Sequence, residues 1–220
     1  MHDGDTVQLR DGRKLRFVGV DTPELGRDGA PSQPYAQEAA RALDKLLAAQ
    51  PFLQLRYDAE RRDPYQRLLA HLYLENGVSV EAWLLEQGYA TQLVVPPNVW
   101  NLECYRAAER RAREARRGIW SLPRYQPVEA AALPRDAAGF YVVRGRVARI
   151  AESAKSVWLN LPGDVALRID RKDLRYFDAP AMRHWEGRTL IARGWLHRER
   201  GGLVMRVRHP AALDHVENAR

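Results

Sequence analysis

Three prolines, at positions 123, 127 and 134, interrupt the chain within residues 121–138. Proline fixes φ and has no backbone N–H, so we expect this segment to lie outside helices and central strands. Helical and strand patterns alternate before it, whereas strand patterns dominate after it. A chain of 220 residues, 45% of them hydrophobic, is long enough to bury two cores. We therefore predict two domains, residues 1–122 and 139–217, joined by a linker at 123–138.

Charge is divided unevenly between the two parts. Residues 1–137 hold 19 Lys+Arg and 19 Asp+Glu, whereas residues 138–220 hold 16 and 9, so the net charge of +7 lies in the last third. A basic domain beside a neutral one favours a polyanionic partner, and a plain solvated surface is the alternative. Charged residues make up 29% of the chain, and no apolar run approaches the roughly 18 residues of a membrane helix.

Cysteine and histidine exclude some classes of site. The single cysteine, Cys104, cannot form an intrachain disulfide or a cysteine-based metal cage. The histidines show neither HxxxH nor HExxH spacing, which argues against a zinc site.

The first part reads as strands with helices between them. Asp11-Gly12 predicts a hairpin turn between strands at 7–10 and 16–20. Apolar residues at helical spacing predict a helix over 35–49, a short one capped by Ser79 and a third from residue 102. Further strands are expected at 52–57 and 68–74. This pattern indicates a β-rich α+β domain.

Acidic residues flank the first two predicted strands. Asp5 stands just before the first strand in Asp3-Gly4-Asp5-Thr6, and the motif VGVDTPE places Asp21 and Glu24 directly after the second. The hairpin should bring Asp5 and Asp21 together, and two close carboxylates repel unless a cation lies between them. Oxygen ligands without His or Cys favour a hard ion, Ca²⁺ or Mg²⁺. Each motif alone is also compatible with a turn or a helix cap.

Two arginines complete the pattern. Arg16 begins the second strand, and Arg67 ends the arginine-rich segment RRDPYQR before a later strand. Guanidinium groups match phosphate oxygens bidentately, although such a segment is also typical of an exposed loop. Metal ligands, two arginines and a glutamate together favour phosphoryl chemistry.

The order of these motifs resembles the staphylococcal nuclease (thermonuclease) family. The matching segments are DGDTV, RFVGVDTPE, DPYQRLLAHLYL, VEAWLLEQGYA and AERRAREARRGIWS, over roughly residues 2–122. The resemblance implies a five-stranded OB-type barrel with three helices. It also implies Ca²⁺-dependent hydrolysis of DNA and RNA at the P–O5′ bond, which leaves 3′-phosphates; Mg²⁺ and Mn²⁺ are alternative metals.

The resemblance also implies roles for individual residues. Asp5, Asp21 and the backbone carbonyl of Thr22 would bind the metal. Glu24 would orient or deprotonate the attacking water. Arg16 and Arg67 would contact the scissile phosphate. Tyr65 would contact a neighbouring phosphate.

Three departures from the family pattern concern substrate contacts. Gln66 stands where the family commonly has Gly, so a positive φ there would strain the loop and displace Arg67. Pro64 replaces a lysine that would contact phosphate. The base-stacking tyrosines of the best-known member would fall near Leu93 to Val95, which are aliphatic here; Tyr89 or Trp100 could take their place.

The second part is predicted to be strand-rich. We place strands near 140–150, 156–161, 165–170, 188–197 and 203–208, with a short helix around 179–186, and this order is that of an OB-fold. Its last hairpin resembles OB-like domains appended to some bacterial members of the nuclease family. We therefore expect a second small OB-fold-like β-barrel that assists nucleic-acid binding, single strands above all. Its candidate contacts are Arg144, Arg146, Arg168, Arg193, Arg206 and Arg208, with Tyr141, Trp158 and Trp195. For the two tryptophans, a place in the core is the favoured alternative.

Two alternatives to these expectations stay open. The first part could be a non-catalytic nucleic-acid-binding or protein-binding module, and the second an oligomerisation or docking element. The family habit of export, with a start only two residues before Asp3, leads us to expect a secreted or periplasmic protein whose leader is absent here; a cytoplasmic location is the alternative.

Overall fold

A computed structural model describes residues 4–26, 29–50, 52–199 and 201–216. The chain divides into two compact units, Met1–Leu122 and Pro123–Arg220. Both are rich in β-structure, and helices lie between strands in each. Among the residues described, no helix is both long and apolar enough to cross a membrane.

In its described residues, the first unit contains six strands and three α-helices. Strands β1 to β6 are Thr6–Gln8, Lys14–Phe17, Val20–Asp21, Leu53–Arg56, Leu68–Leu74 and Thr91–Gln92. Helices α1 to α3 are Ala36–Ala48, Val80–Glu86 and Leu102–Glu114. The three helices expected from the apolar spacing are confirmed, whereas the short strands β3 and β6 were not predicted.

Each helix buries the face that its sequence makes apolar. Ala36, Ala39 and Leu43 of α1 are buried. Ser79 caps α2 by accepting a hydrogen bond from the backbone N–H of Ala82, which satisfies one of the unpaired donors of the first turn. Burial of one stripe against the strands orients each helix, since propensity alone would leave such short helices marginal.

Strand pairing in the first unit follows the predicted hairpin. β1 and β2 pair antiparallel with Thr6 opposite Arg16, and Gly12 has a φ of 86°, which the turn requires and glycine tolerates. β2 also pairs parallel with β5, and β5 pairs antiparallel with β4. The resulting sheet has the order β1-β2-β5-β4, and β3 pairs with β6 in a separate two-stranded sheet.

Gly19 lets the chain turn from β2 into β3. Its φ is 90°, and a Cβ at this position would lie 2.6 Å from a ring carbon of Tyr105. A larger residue would therefore push β3, and Asp21 at its end, away from the sheet.

The second unit is an eight-stranded sheet with one short helix. Strands β7 to β14 are Pro127–Glu129, Gly139–Arg146, Arg149–Glu152, Ser156–Leu161, Val165–Asp170, Thr189–Glu199, Gly202–Arg206 and Leu213–Val216, and helix α4 is Ala179–Met182. The strand order is β7-β8-β12-β13-β11-β10-β9, and β14 pairs with β12. All five expected strand regions and the helix are confirmed, although the first region is split into β8 and β9.

The linker predicted at 123–138 is wrong. Residues 127–129 form β7, which pairs parallel with β8, and Ala130 and Ala137 belong to the core of the second unit. Proline is compatible with this placement because β7 is an edge strand, where a missing N–H costs no central ladder bond. The sheets have open strand orders in the described residues, so the barrels remain a prediction.

Candidate active site

Asp5 and Asp21 meet at one guanidinium group. Asp5 directly precedes β1, Arg16 lies on β2 opposite Thr6, and Asp21 ends β3. Nη2 of Arg16 lies 3.2 Å from Oδ2 of Asp5 and 2.9 Å from Oδ1 of Asp21. The hairpin and the turn at Gly19 therefore bring together carboxylates that are 16 positions apart in the sequence.

Asp5 is buried, and both oxygens of its carboxylate accept hydrogen bonds. It is only 4% exposed. Its Oδ2 accepts hydrogen bonds from the backbone N–H of Thr22 at 2.9 Å and from its hydroxyl at 3.1 Å, and its Oδ1 accepts one from the hydroxyl of Thr6. A buried carboxylate needs such compensation, and Arg16 supplies the opposite charge.

Arg16 is anchored on both sides. Its Nη1 donates to the carbonyl oxygens of Phe17 and Val20 at 2.8 Å each, while Nη2 serves the two carboxylates. Since these bonds bind one edge of the guanidinium to the β2–β3 turn, its position is set by backbone as well as by charge.

Thr22 and Glu24 come one and three residues after Asp21 in the chain. Thr22 is buried, and its N–H and hydroxyl both serve Asp5. Glu24 is exposed; its backbone N–H donates to the side chain of Gln33, and its carbonyl accepts from the N–H of Gln33. The tripeptide from Thr22 thus leaves the carboxylate pair and runs to the surface, with Glu24 three residues beyond Asp21. Asp3 of the first motif lies outside the described residues.

Arg67 lines the same cavity as Arg16. The cavity has a volume of about 260 Å³, and its lining includes Arg16, Tyr65 and Arg67 together with the apolar Leu93 and Val95. Tyr65 is 81% exposed, and the Arg67 guanidinium carbon lies 5.6 Å from the centre of its ring. The structure therefore gathers both arginines and the tyrosine around a single opening.

Gln66 adopts the conformation that glycine would favour. Its φ is 63°, in the left-handed region. The strain expected from this residue is present, but Arg67 still lines the cavity. The positive φ of Gln66 thus leaves Arg67 at the cavity.

The donor set fits a hard divalent cation. Two carboxylates from different strands already share one positive charge, and the neighbouring groups offer oxygen rather than nitrogen or sulfur. Within the described part of the chain, no three His, Cys, Asp or Glu side chains form a metal-binding group. Asp5 and Asp21 would therefore supply the protein carboxylates, and the remaining ligands would be carbonyl oxygens and waters.

Comparison with known proteins points to one family. The profile of the family described as "Staphylococcal nuclease homologue" matches residues 14–122. "Endonuclease YncB" of Bacillus subtilis is 38% identical over 128 residues, 56% of this chain and 60% of that relative. "Thermonuclease" of Staphylococcus hyicus is 35% identical over 122 residues, 54% of this chain and 71% of that relative.

This chain belongs to the staphylococcal nuclease family. The match to this family ends at residue 122, so the second unit lies outside it. The chain spans only 60% of the length of the Bacillus relative, and "Probable endonuclease LCL3" of Schizophyllum commune is matched over 43% of its length.

This member of the family contains a buried glutamate that the motifs did not reveal. Glu81 is fully buried on α2, and its carboxylate accepts hydrogen bonds from the N–H of Leu72 at 2.7 Å and the hydroxyl of Ser79 at 3.1 Å. Burial raises its pKa to about 8, although these hydrogen bonds act in the opposite direction. In the sequence it is indistinguishable from an acid placed to favour the first turn of a helix.

A buried histidine lies beside it. His71 of β5 has its Nδ1 2.8 Å from the hydroxyl of Tyr105, which in turn lies 3.4 Å from Glu81. Burial lowers the pKa of His71 to about 4, and the carboxylate of Asp58, 3.8 Å from Nε2, opposes that change. Burial also raises the pKa of the Tyr105 hydroxyl. A lone histidine within an apolar strand carries no signal for this network.

The candidate arginines of the second unit differ in exposure. Arg144 and Arg146 are exposed; Arg144 lies 3.6 Å from Glu129, and Nε of Arg146 donates to the carbonyl of Gly187. Arg193 is 6% exposed, and its guanidinium binds the carboxylate of Asp214 and the carbonyl of Ala211. Burial and these internal bonds argue against a contact between Arg193 and nucleic acid, which stays a prediction.

Arg206 and Arg208 are paired with acids on neighbouring elements. Arg206 contacts Asp170 and Asp173, and Nε of Arg208 lies 3.4 Å from Asp173. Their alternation along the strand therefore produces ion pairs, which reduces the positive charge presented to a polyanion.

Trp158 and Trp195 lie outside the buried core of the second unit, whereas Trp185 belongs to that core. Trp195 is 43% exposed, and Trp158 is partly exposed, with the Arg168 guanidinium carbon 5.8 Å from its ring. The expectation of a core role is wrong for Trp195, because the alternation of β12 places it on the outer face.

Proposed function

We propose that the chain is a metal-dependent nuclease that hydrolyses phosphodiester bonds of DNA, RNA or both. The observation that carries the proposal is the convergence of Asp5 and Asp21 on Arg16, at the cavity that Arg67 also lines. The two carboxylates would hold a metal cation. That cation and the two arginines would stabilise a phosphodiester, which is anionic and gains further negative charge in the transition state.

Asp5 and Asp21 would hold the metal, with the carbonyl of Thr22 as a further ligand. A bound Ca²⁺, or Mg²⁺ or Mn²⁺ in its place, supplies Lewis-acid stabilisation of the phosphoryl oxygens. The resemblance to the thermonuclease family favours Ca²⁺ as the first choice. The hydrogen bonds from Thr22 hold the carboxylate of Asp5 in a fixed orientation for this role.

The two arginines are assigned to phosphate binding, and the glutamate is assigned to proton transfer. Arg16 and Arg67 bind the non-bridging oxygens of the scissile phosphate and stabilise the charge that develops there. Glu24 accepts a proton from the attacking water, and its exposed position gives it access to solvent. Tyr65 contacts an adjacent phosphate at the rim of the cavity. Cleavage at P–O5′ would leave a 3′-phosphate.

The cavity carries few groups that could read a base. The polar atoms of the Asn98 side chain are consumed by the backbone of Glu60, and Leu93 and Val95 are apolar. Recognition would thus depend on the phosphate backbone and tolerate many sequences. A flexible single strand fits such a site more readily than a stiff duplex.

The second unit is proposed to assist nucleic-acid binding through exposed Arg144 and Arg146. Both units are proposed to close into OB-type barrels, the first with five strands. Export to the periplasm or medium would suit a scavenging or defensive nuclease.

The nuclease proposal is tested on the full chain. The protein is incubated with single-stranded DNA, duplex DNA and RNA, first with Ca²⁺ and then with a chelator. We expect chelator-sensitive degradation that Asp21→Asn abolishes, whereas Asp44→Asn, an exposed site on α1, leaves it unchanged. Binding without any degradation would favour the non-catalytic module instead.

The role of the second unit is tested by Arg144→Gln/Arg146→Gln. Loss of phosphate contacts should reduce the salt dependence of binding by about one unit of slope for each contact. An unchanged slope would indicate a docking or oligomerisation role.

A further inference from the structure

Asp63 is the centre of the loop that carries Tyr65 and Arg67. Its Oδ1 accepts hydrogen bonds from the backbone N–H groups of Tyr65 and Arg67, both at 2.9 Å. Its backbone carbonyl accepts from the N–H of Gln66 at 3.0 Å, and its own N–H donates to the carbonyl of Arg67 at 3.1 Å. One residue thus ties down the three that follow Pro64.

The same carboxylate holds the side chain of Arg67. Oδ2 of Asp63 lies 2.6 Å from Nε of Arg67, and the Asp63 side chain is only 11% exposed. A guanidinium has five N–H donors. Engagement at Nε leaves the terminal fork of Nη1 and Nη2 for a ligand, and Arg67 lines the cavity together with Arg16.

These bonds also oppose an unfavourable backbone conformation. Gln66 has a φ of 63°, which costs free energy for a residue with a Cβ. Its carbonyl is held by Nη1 of Arg62 at 3.1 Å. A loop that strains one residue needs surrounding bonds to keep it, and Asp63 takes part in most of the hydrogen bonds of this loop.

We propose that Asp63, which itself lines the cavity, is a positioning residue that aims Arg67 at the scissile phosphate. The inference rests on the proposed nuclease function. Two opposite effects are possible for an acid beside a catalytic arginine: orientation, which accelerates the reaction, and charge neutralisation, which weakens phosphate binding. Orientation prevails here because Oδ2 contacts Nε, at the edge away from the terminal fork.

The test uses Asp63→Asn in the full chain, with a single-stranded oligodeoxynucleotide and Ca²⁺. Asparagine can keep one oxygen as an acceptor for the two backbone N–H groups but removes the charge that holds Nε. We expect kcat to fall about 10²-fold, with KM changed much less. Asp44→Asn on α1 is the matched control and should leave both constants unchanged.

A double-mutant cycle identifies the route of the effect. In an Arg67→Ala background, Asp63→Asn should cause no further loss of kcat, because the group that it positions is gone. An equal loss in both backgrounds, or a faster Asp63→Asn enzyme, would overturn the proposal. Gln66→Gly added to Asp63→Asn relieves the backbone strain but not the lost ion pair, so full recovery of kcat would also overturn it.

A measurement without turnover keeps the two proposals separate. The Nε–H of Arg67 should exchange slowly with solvent in the wild-type protein and faster in Asp63→Asn, as followed by ¹⁵N-resolved NMR. Equal exchange rates would overturn the positioning role. If instead exchange differs but no nucleic acid is cleaved by the wild type, the nuclease proposal fails and the Asp63–Arg67 geometry stands.

Discussion

Arg16 and Asp21 form an ion pair of 2.9 Å between Nη2 and Oδ1, and the same nitrogen lies 3.2 Å from Oδ2 of Asp5. One arginine is therefore the counter-ion of both proposed metal ligands. Without it, two carboxylates would face each other at a largely buried site, where repulsion is weakly screened.

Replacing Arg16 should make the protein depend on the metal for stability. Arg16→Met is expected to lower the free energy of unfolding by about 3 kcal/mol without metal, since breaking a buried ion pair leaves uncompensated charge. Added Ca²⁺ should then raise Tm more than in the wild type. Differential scanning fluorimetry measures both effects. Arg13→Met, which removes an exposed pair with Asp11, is the control; an equal Ca²⁺ increment in the wild type and Arg16→Met would contradict the prediction.

Glu24→Gln should separate chemistry from folding. We expect kcat to fall by about 10²- to 10⁴-fold, the usual contribution of a general base, while KM and Tm change little because the residue is exposed. Steady-state kinetics on single-stranded DNA provides the measurement. Glu75→Gln, at another exposed glutamate, should behave as the wild type. Unchanged turnover would remove Glu24 from the mechanism.

Stability should fall as pH rises through the titration of Glu81. Its pKa is raised in the folded state from 4.5 to about 8, so its stabilising contribution is complete below 4.5 and is lost as pH rises through 8. His71 has the opposite dependence: its pKa is lowered from 6.5 to about 4, so its contribution is lost as pH falls through that range. The effects of Glu81 and His71 on stability oppose each other between pH 4.5 and pH 6.5. Between pH 6.5 and pH 8, only Glu81 contributes to the pH dependence.

Urea midpoints measured across that upper interval check the assignment. The wild type should lose stability there, whereas Glu81→Gln, which keeps an oxygen acceptor for Leu72, should change far less. A similar loss in both proteins would show that another group titrates.

An aromatic side chain should strengthen substrate binding at Val95. This residue is 42% exposed and lines the cavity, and base stacking on an aromatic ring contributes about 1–3 kcal/mol. Val95→Tyr should lower KM for single-stranded DNA by about tenfold, with little change in kcat. Val78→Tyr is a suitable control, since Val78 is 40% exposed and outside the cavity lining. An equal effect of both substitutions would contradict stacking in the cavity.

Local patterns were sufficient for the helices, for the hairpin at Asp11-Gly12 and for the proximity of Asp5 and Asp21. Each depends on residues near one another in the chain: apolar spacing, a turn dipeptide, or two acids flanking one hairpin. The segment at 123–138 was misread because prolines mark an edge strand as readily as a linker, and only pairing with β8 distinguishes the two.

The sequence by itself determined the residue types of the candidate site, the order of the strands and helices, and membership of the nuclease family. Only the tertiary structure decided which charges meet. It placed Arg16 between two carboxylates, bound Arg193 to Asp214 inside the second unit, and buried Glu81 and His71 beside Tyr105. The physical reason is that burial and charge pairing depend on contacts between distant segments, which spacing along one segment cannot specify.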